Sequence, residues 1–307
     1  GSTGQPKAVL LEHRGFVNMV RHHINLFGVD PSDRLLQFYA HSFDSSLFEV
    51  FVSLLSGARL VMVAQDTIND PEKLSAYVVA QQVTTLTLPP VYLSTLNRVH
   101  LTGVRRFISA GDHCRVEDAL RLAGTSDYYN SYGPTETSVC VTHYKVDPQR
   151  QYGSRIPVGK PISGTSIYLL DDRLQPVPEG VVGEICVGGV SLARGYLNRE
   201  SLTAERFVPS PFKTGERLYL TGDVGVWLPD GNLEVIGRKD TQVKIRGYRV
   251  ELGEIESVLD QHPLVEASAV VASEDETGHK RLIAYVTGTA EHAGSIDVAD
   301  LKSLLRS

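Results

Sequence analysis

Over about the first two hundred positions, apolar residues arrive in short runs separated by amphipathic stretches, the pattern of a sheet laced with crossover helices. Leu47, Val50, Phe51, Leu54 and Leu55 recur at helical spacing. With Ser46 and Glu49 set as a capping box and Gly57 as a stop, they predict a helix carrying that apolar face. A strand, Leu60 to Val63, follows. Asp70 with Pro71 behind it predicts the start of a second helix, with Leu74, Tyr77, Val78 and Gln81 on one side. Thr84 to Leu88 and Arg106 to Ser109 read as strands, ending at Pro89-Pro90 and at Ala110-Gly111. Such turns at the strand ends of an open α/β sheet usually carry ligand.

From about Gly153 to Gly237 the pattern changes to Gly- and Pro-rich segments with short alternating strands, such as Ser166 to Leu170 and Glu184 to Val187. After Arg238-Lys239-Asp240-Thr241 comes a compact α+β stretch. It has a helix bearing Leu252, Ile255, Val258 and Leu259, strands at Ala267 to Ala272 and Leu282 to Val286, and a last helix from near Asp297. The expectation is an α/β protein. A large N-terminal subdomain over 1–239 would hold mixed or parallel sheets with helices and a β-rich, barrel-like part, followed by a small α+β C-terminal subdomain over 240–307.

With 307 residues, 42% of them hydrophobic and 21% charged, the chain can bury the cores that this division needs. A net charge of −6 argues against nucleic acid as a partner. No long uncharged apolar run is present to span a membrane. Cys114, Cys140 and Cys186 are odd in number and widely spaced, which fits a reducing cytoplasm and offers no metal-ligand spacing.

Four segments carry candidate chemistry. In Gly1-Ser2-Thr3-Gly4-Gln5-Pro6-Lys7, glycines allow close backbone approach while hydroxyls and an ammonium face phosphate oxygens. A plain surface turn has the same composition. The nucleotide P-loop pattern is not met, because Pro6 precedes the lysine and Ala8 follows it. In Tyr128 to Thr137, Tyr132 offers a ring face for a purine, Asn130 an amide for its edge, and Glu136 a hard oxygen for Mg²⁺. The plainer alternative is a strand with a proline turn and a solvated glutamate. In Tyr219 to Asp223 a carboxylate follows a tight turn and can accept from vicinal ribose hydroxyls, although Asp in a turn is commonplace. Gly237 to Glu256 adds cations that suit a phosphorylated ligand, or a solvated hairpin.

Together and in this order, the segments resemble the adenylation domains of nonribosomal peptide synthetases, within the adenylate-forming superfamily. Asn130 to Thr137, Tyr219 to Asp223 and Gly237 to Glu256 match that family almost residue for residue. The resemblance implies ATP, Mg²⁺ and an amino acid as ligands. It implies formation of an aminoacyl adenylate, then transfer to the phosphopantetheine thiol of a peptidyl carrier domain, with a condensation domain in the same megasynthase. It assigns Ser2, Thr3, Gly4 and Lys7 to the β- and γ-phosphates, Thr135 to the α-phosphate and Glu136 to Mg²⁺. Tyr132 and Asn130 go to adenine, Asp223 and Arg238 to the ribose, and Gly111 and Gly133 complete the nucleotide set. Lys7, Thr135 and Glu136 are thereby the catalytic candidates, and Asp240 the hinge that would bring Gly247 to the thiol tunnel. Val235 stands where many relatives carry an aromatic beside the ribose.

By the same likeness Asp44, in Phe43-Asp44-Ser45-Ser46, holds the substrate's amino group, although a carboxylate opening a helix also suits the helix dipole alone. The pocket would be completed by Ser45, Phe48, Thr87, Ile108, Ala110, Ser131, Val139 and Cys140. Its lining bears no charge besides Asp44, which disfavours charged side chains and points to a neutral, aromatic substrate of the Phe or Tyr type. Relatives carry a long portion before the hydroxyl-rich loop and a lysine that would fall beyond Ser307, so this polypeptide alone is expected to be poorly active. The rivals are an acyl- or aryl-CoA synthetase, which needs no amino-group anchor, and an inactive partial fragment. A kinase is disfavoured by the lack of its catalytic-loop pattern.

Overall fold

A computed structural model describes residues 7–96, 101–239, 243–245, 248–250, 252–274, 280–288 and 296–305. Two compact units emerge, Val9–Lys239 and a smaller one that includes Asp240–Ser307. In the larger, helix α1 (His13–Phe27) precedes strand β1 (Arg34–Gln37), α2 (Asp44–Leu55), β2 (Arg59–Met62), α3 (Gln65–Ile68), α4 (Pro71–Ala80) and β3 (Thr85–Leu88). Then come α5 (Pro90–Thr95), β4 (Arg106–Ser109), α6 (Val116–Ala123), β5 (Asp127–Tyr132), β6 (Thr142–Lys145) and β7 (Lys160–Pro161).

The seven strands form one sheet in the order β2-β1-β3-β4-β5-β6-β7. The first five run parallel, and β6 and β7 close the edge antiparallel. Alternation along the strands sends Leu86, Phe107 and Tyr128 to one face, under Leu74 and Val78 of α4 and Leu122 of α6. Ile108 and Tyr129 go to the other, under Met19 and Phe27 of α1 and Phe48 and Val52 of α2. Helices thus cover both faces, as a sheet of parallel strands requires.

A charge cluster centred on the buried Asp33 staples the sheet where β1, β3 and β4 begin. Asp33 accepts from Arg106 at 2.8 Å, Arg105 at 2.5 Å and Thr84 at 2.5 Å. Burial pushes its carboxyl pKa up, but these bonds outweigh that and hold it below the ordinary aspartate value. The C-terminal strand ends are left for the site.

A five-stranded antiparallel sheet follows, built from β8 (Thr165–Leu170), β9 (Gly183–Gly189), β10 (Phe207–Pro209), β11 (Arg217–Trp227) and β12 (Leu233–Arg238), with α7 (Glu200–Arg206) between β9 and β10. The smaller unit pairs β13 (Val243–Ile245) with β14 (Tyr248–Val250) and β15 (Val265–Glu274) with β16 (Lys280–Gly288). Its helices are α8 (Leu252–Leu259) and α9 (Val298–Leu304), and Leu259, Val265, Val270 and Leu301 form its core. The α/β class read from the sequence is the observed one.

One helix departs from expectation. α2 begins at Asp44 with Phe43 as its N-cap, so Ser46 and Glu49 lie inside it and form no capping box. Ser46 Oγ donates instead to Phe43 O at 2.6 Å, and Glu49 Oε2 accepts the amides of Phe38 and Tyr39 at 3.1 Å. The helix is also turned around: Phe48, Glu49, Val52 and Ser53 are buried, whereas Leu47, Phe51, Leu54 and Leu55 are 37–62% exposed. A helix apolar on most of its circumference does not reveal by spacing which stripe faces inward, and the two amides offset only part of the cost of burying Glu49, whose Oε1 has no partner among the described residues.

Candidate active site

Because the parallel strands all end at the same side, the turns after β1, β4 and β5 place Asp44, Ala110-Gly111 and Gly133 to Glu136 along one edge of the sheet. Asp44 occupies the first turn of α2, where the helix dipole favours an anion. Thr135 Oγ1 donates to its Oδ2 at 2.6 Å. Burial raises the Asp44 pKa, the bonds from Thr135 and Ser45 pull it back, and the nearby Glu136 charge raises it further. Among the described residues no cation pairs with it.

Glu136 follows in a single turn of 3-10 helix, Thr135–Thr137, and is 1% exposed. Its Oε1 accepts from the Tyr196 hydroxyl at 2.7 Å, and its backbone oxygen accepts from Ala193 N at 2.9 Å. The carboxylate of Glu136 and the hydroxyl of Thr135 are hard oxygen donors, the set that Mg²⁺ takes.

At the end of β5, Tyr132 donates its hydroxyl to Asp223 Oδ2 at 2.6 Å, and Arg238 Nη1 donates to Asp223 Oδ1 at 2.7 Å. Asp223 and Arg238 face each other across β11 and β12. The carboxylate is therefore oriented and charge-compensated, with lone pairs left for a diol. Tyr132 is only 5% exposed, and burial beside Asp223 pushes its phenol well above the ordinary range. Asn130 uses both its amide hydrogens on the carbonyls of Ile156 at 3.1 Å and Pro157 at 3.0 Å, which leaves its amide oxygen for a ligand.

The residues expected to line the pocket come together on the α1/α2 face of the sheet. Phe48, Ile108, Val139 and Cys140 belong to one core cluster. Thr87 and Ile108 are register partners on β3 and β4. Ser131 lies two residues beyond Tyr129 on β5, on that same face. Burial raises the Cys140 thiol pKa, with Asp44 adding to the effect.

Val139 lies in the left-handed region at φ 74° and Cys140 N donates to Ser138 O at 3.0 Å, which is the strained form of the γ-turn. Ser138 precedes it at φ 62° with its hydroxyl fixed on Ser191 O at 2.8 Å. Gly133 packs against this turn: a Cβ there would sit 2.4 Å from Val139 O and 2.6 Å from Cys140 Cα. Gly133→Ala is expected to destabilise the fold by about 1–3 kcal/mol in urea titrations and to cost activity, since backbone on both sides must shift. An unchanged unfolding midpoint would show that the turn yields freely.

Ser2, Thr3, Gly4 and Asp240 lie outside the described residues, as does Gly247; Lys7 is described and half-buried. The sequence did not flag Tyr196, which holds Glu136, nor His23 and His143, which lie behind the lining. A cleft of about 400 Å³ bordered by Glu12, Arg14, Leu192 and Arg217 takes in none of the expected site residues.

Comparison with known proteins follows the same lines. The AMP-binding enzyme family matches residues 1–197, and the AMP-binding enzyme C-terminal domain matches residues 254–307. Bacitracin synthase 3 of Bacillus licheniformis is 47% identical over 93% of this chain, which spans 4% of that protein. Tyrocidine synthase 1 of Brevibacillus parabrevis is 44% identical over 95% of the chain, which spans 27% of it. Among solved structures, the Vibrio cholerae adenylation domain AlmE in complex with glycyl-adenosine-5'-phosphate superposes with a TM-score of 0.87 at 27% identity, over 98% of this chain and 58% of that one. An artificially fused adenylation-PCP di-domain from Klebsiella oxytoca gives a TM-score of 0.85 at 28% identity, over 98% and 56%.

Proposed function

The chain belongs to the AMP-binding enzymes, and on that premise we propose that it activates a neutral, aromatic amino acid as its adenylate for nonribosomal peptide synthesis. One observation carries the reading: Asp44 is a desolvated carboxylate with no cationic partner among the described residues, tied by Thr135 to the turn that bears Glu136. An α-ammonium docking on Asp44 would satisfy this partly buried charge and bring the substrate carboxylate toward that turn. The carboxylate oxygen attacks the α-phosphorus of ATP, forming the acyl phosphate bond as pyrophosphate leaves. Such a step depends on positioning and charge neutralisation rather than on a nucleophile of the enzyme.

In this reading Thr135 meets the α-phosphate, and Ser2, Thr3, Gly4 and Lys7 the outer phosphates. Asn130, Tyr132, Gly111 and Gly133 frame adenine, and Asp223, aimed by Tyr132 and Arg238, takes the ribose hydroxyls. Mg²⁺, held by Glu136, would supply neutralisation of phosphate charge. The likeness to an adenylation-PCP di-domain supports a carrier domain as the acceptor. We take its thiol to be that of phosphopantetheine, with a condensation domain beyond it and Asp240 as the hinge between half-reactions, on the motif resemblance alone. No described helix is long and apolar enough to cross a membrane. With three free, buried thiols we place the protein in the cytoplasm.

The test is amino acid-dependent ATP-pyrophosphate exchange, screened over all the proteinogenic amino acids with the longest polypeptide that carries this sequence. Exchange is expected with an aromatic residue. Exchange confined to Arg, Glu or Gly would refute the substrate class, and exchange driven only by carboxylic acids lacking an amino group would refute amino acid activation.

A further inference from the structure

Behind the lining runs a chain of hydrogen bonds whose direction is fixed. His23, fully buried on α1, has its Nδ1 2.5 Å from Met19 O. A carbonyl oxygen only accepts, so Nδ1 of His23 carries the proton. The Nε2 atoms of His23 and His143 contact each other, and a contact of that kind holds a single proton. Beyond it, His143 Nδ1 lies 2.6 Å from Ser131 Oγ.

The protonation state follows from the surroundings. Around the pair pack His22, Phe27, Phe48 and Cys140, with no carboxylate among the groups that act on either ring. Burial, opposed only in part by the Met19 bond, takes the His23 pKa down to about 3, and burial together with His23 and His22 takes that of His143 well below the usual imidazole value. Both rings are neutral. His23 Nε2 is then a lone pair, His143 Nε2 carries the shared proton and donates it, and His143 Nδ1 is left as an acceptor. Ser131 must donate to it. Cys140 Sγ and the ring nitrogens also lie within 4.8 Å of one another, a spacing that suits a soft metal ion. Yet the relay already occupies both nitrogens of each ring, so no imidazole lone pair is left over for one.

We propose that the His23-His143 relay commits the Ser131 hydroxyl proton inward, so that the pocket wall offers the substrate side chain an acceptor only and selects tyrosine over phenylalanine. The inference rests on the reading of Ser131 as pocket lining. His143 is a positioning residue here, acting through Ser131. A side chain with a donor meets two free lone pairs, while one without a donor leaves them desolvated. That difference amounts to about tenfold to a hundredfold in affinity.

The experiment measures binding of the non-hydrolysable sulfamoyl adenylates of tyrosine and phenylalanine to the full chain, its Ser131→Ala and His143→Leu variants, by calorimetry. The tyrosine compound is expected to bind about ten to a hundred times tighter, and both variants to bring the ratio close to one. Equal binding by the unmodified protein overturns the inference and leaves amino acid activation standing; no binding of either compound overturns the proposed function, and the inference with it. A ratio that survives in His143→Leu removes the relay from the explanation. Imidazole ¹⁵N spectra give an independent reading, expected to show His23 protonated at Nδ1 and His143 at Nε2; the opposite tautomers would sink the proposal even if the variants misfold.

Discussion

Asp44→Asn is expected to make the unliganded protein more stable while lowering kcat/KM for the amino acid by about 10²- to 10³-fold. The two effects share one cause. Burial raises the Asp44 pKa, so folding disfavours its charged form. A carboxyl with a raised folded-state pKa gives its full stability below the unfolded value and loses it as pH climbs through the folded one. At neutral pH the ionised side chain is therefore a liability in the free protein, and an uncharged isostere that still accepts from Thr135 relieves it. With substrate bound the sign reverses, because removing one member of a buried charge pair costs about 3–5 kcal/mol. Unfolding midpoints and exchange kinetics on the same preparations measure both effects. Exchange is also expected to weaken on acidification from a pH above the ordinary aspartate value, as Asp44 takes up its proton. Undiminished activity in Asp44→Asn would mean that no ammonium docks there, as for an acid ligase without an amino-group anchor.

What the sequence disclosed and what it hid divide along sequence separation. The cap of α4 was legible because it is local: Asp70 accepts from the amides of Glu72 at 3.0 Å and Lys73 at 3.2 Å, and the helix starts at Pro71. Strand β4 was equally legible, since Phe107 and Ile108 sit before the Ala110-Gly111 turn, and all four of its residues prove buried. The orientation of α2 was not, because the tertiary partners of Glu49 decide it, and spacing alone favours the wrong stripe. Asp223 and Tyr132 stand 91 residues apart and are hydrogen-bonded, yet each could be named because it sits in a segment that matches the family. His23 and His143, 120 apart, sit in no such segment. Only the pairing of β5 with β6, which sets Ser131 opposite His143, reveals that the two histidines stand behind Ser131. Pocket residues could be named one at a time, whereas the polarity imposed on them from behind is a property of the folded sheet.

Glu136→Gln is expected to lower kcat by about 10²- to 10³-fold with little change in the amino acid KM, the signature of an interaction that matters most as charge develops on the phosphates. Gln is the informative replacement. Its amide oxygen can still accept from the Tyr196 hydroxyl, and the backbone bond from Ala193 to position 136 is untouched, so the 3-10 turn and the Thr135-Asp44 contact should persist. What is lost is the negative charge on a 1% exposed side chain, and with it the affinity for a hard divalent cation. The dependence of single-turnover adenylate formation on Mg²⁺ concentration should therefore shift to much higher concentrations. Tyr196→Phe supplies the contrast: it removes one hydrogen bond to the carboxylate without removing the charge, so the Mg²⁺ requirement should stay near that of the unmodified protein. If Glu136→Gln instead kept both its rate and its Mg²⁺ response, Glu136 would be reduced to an acceptor for Tyr196, and the metal would have to be held elsewhere.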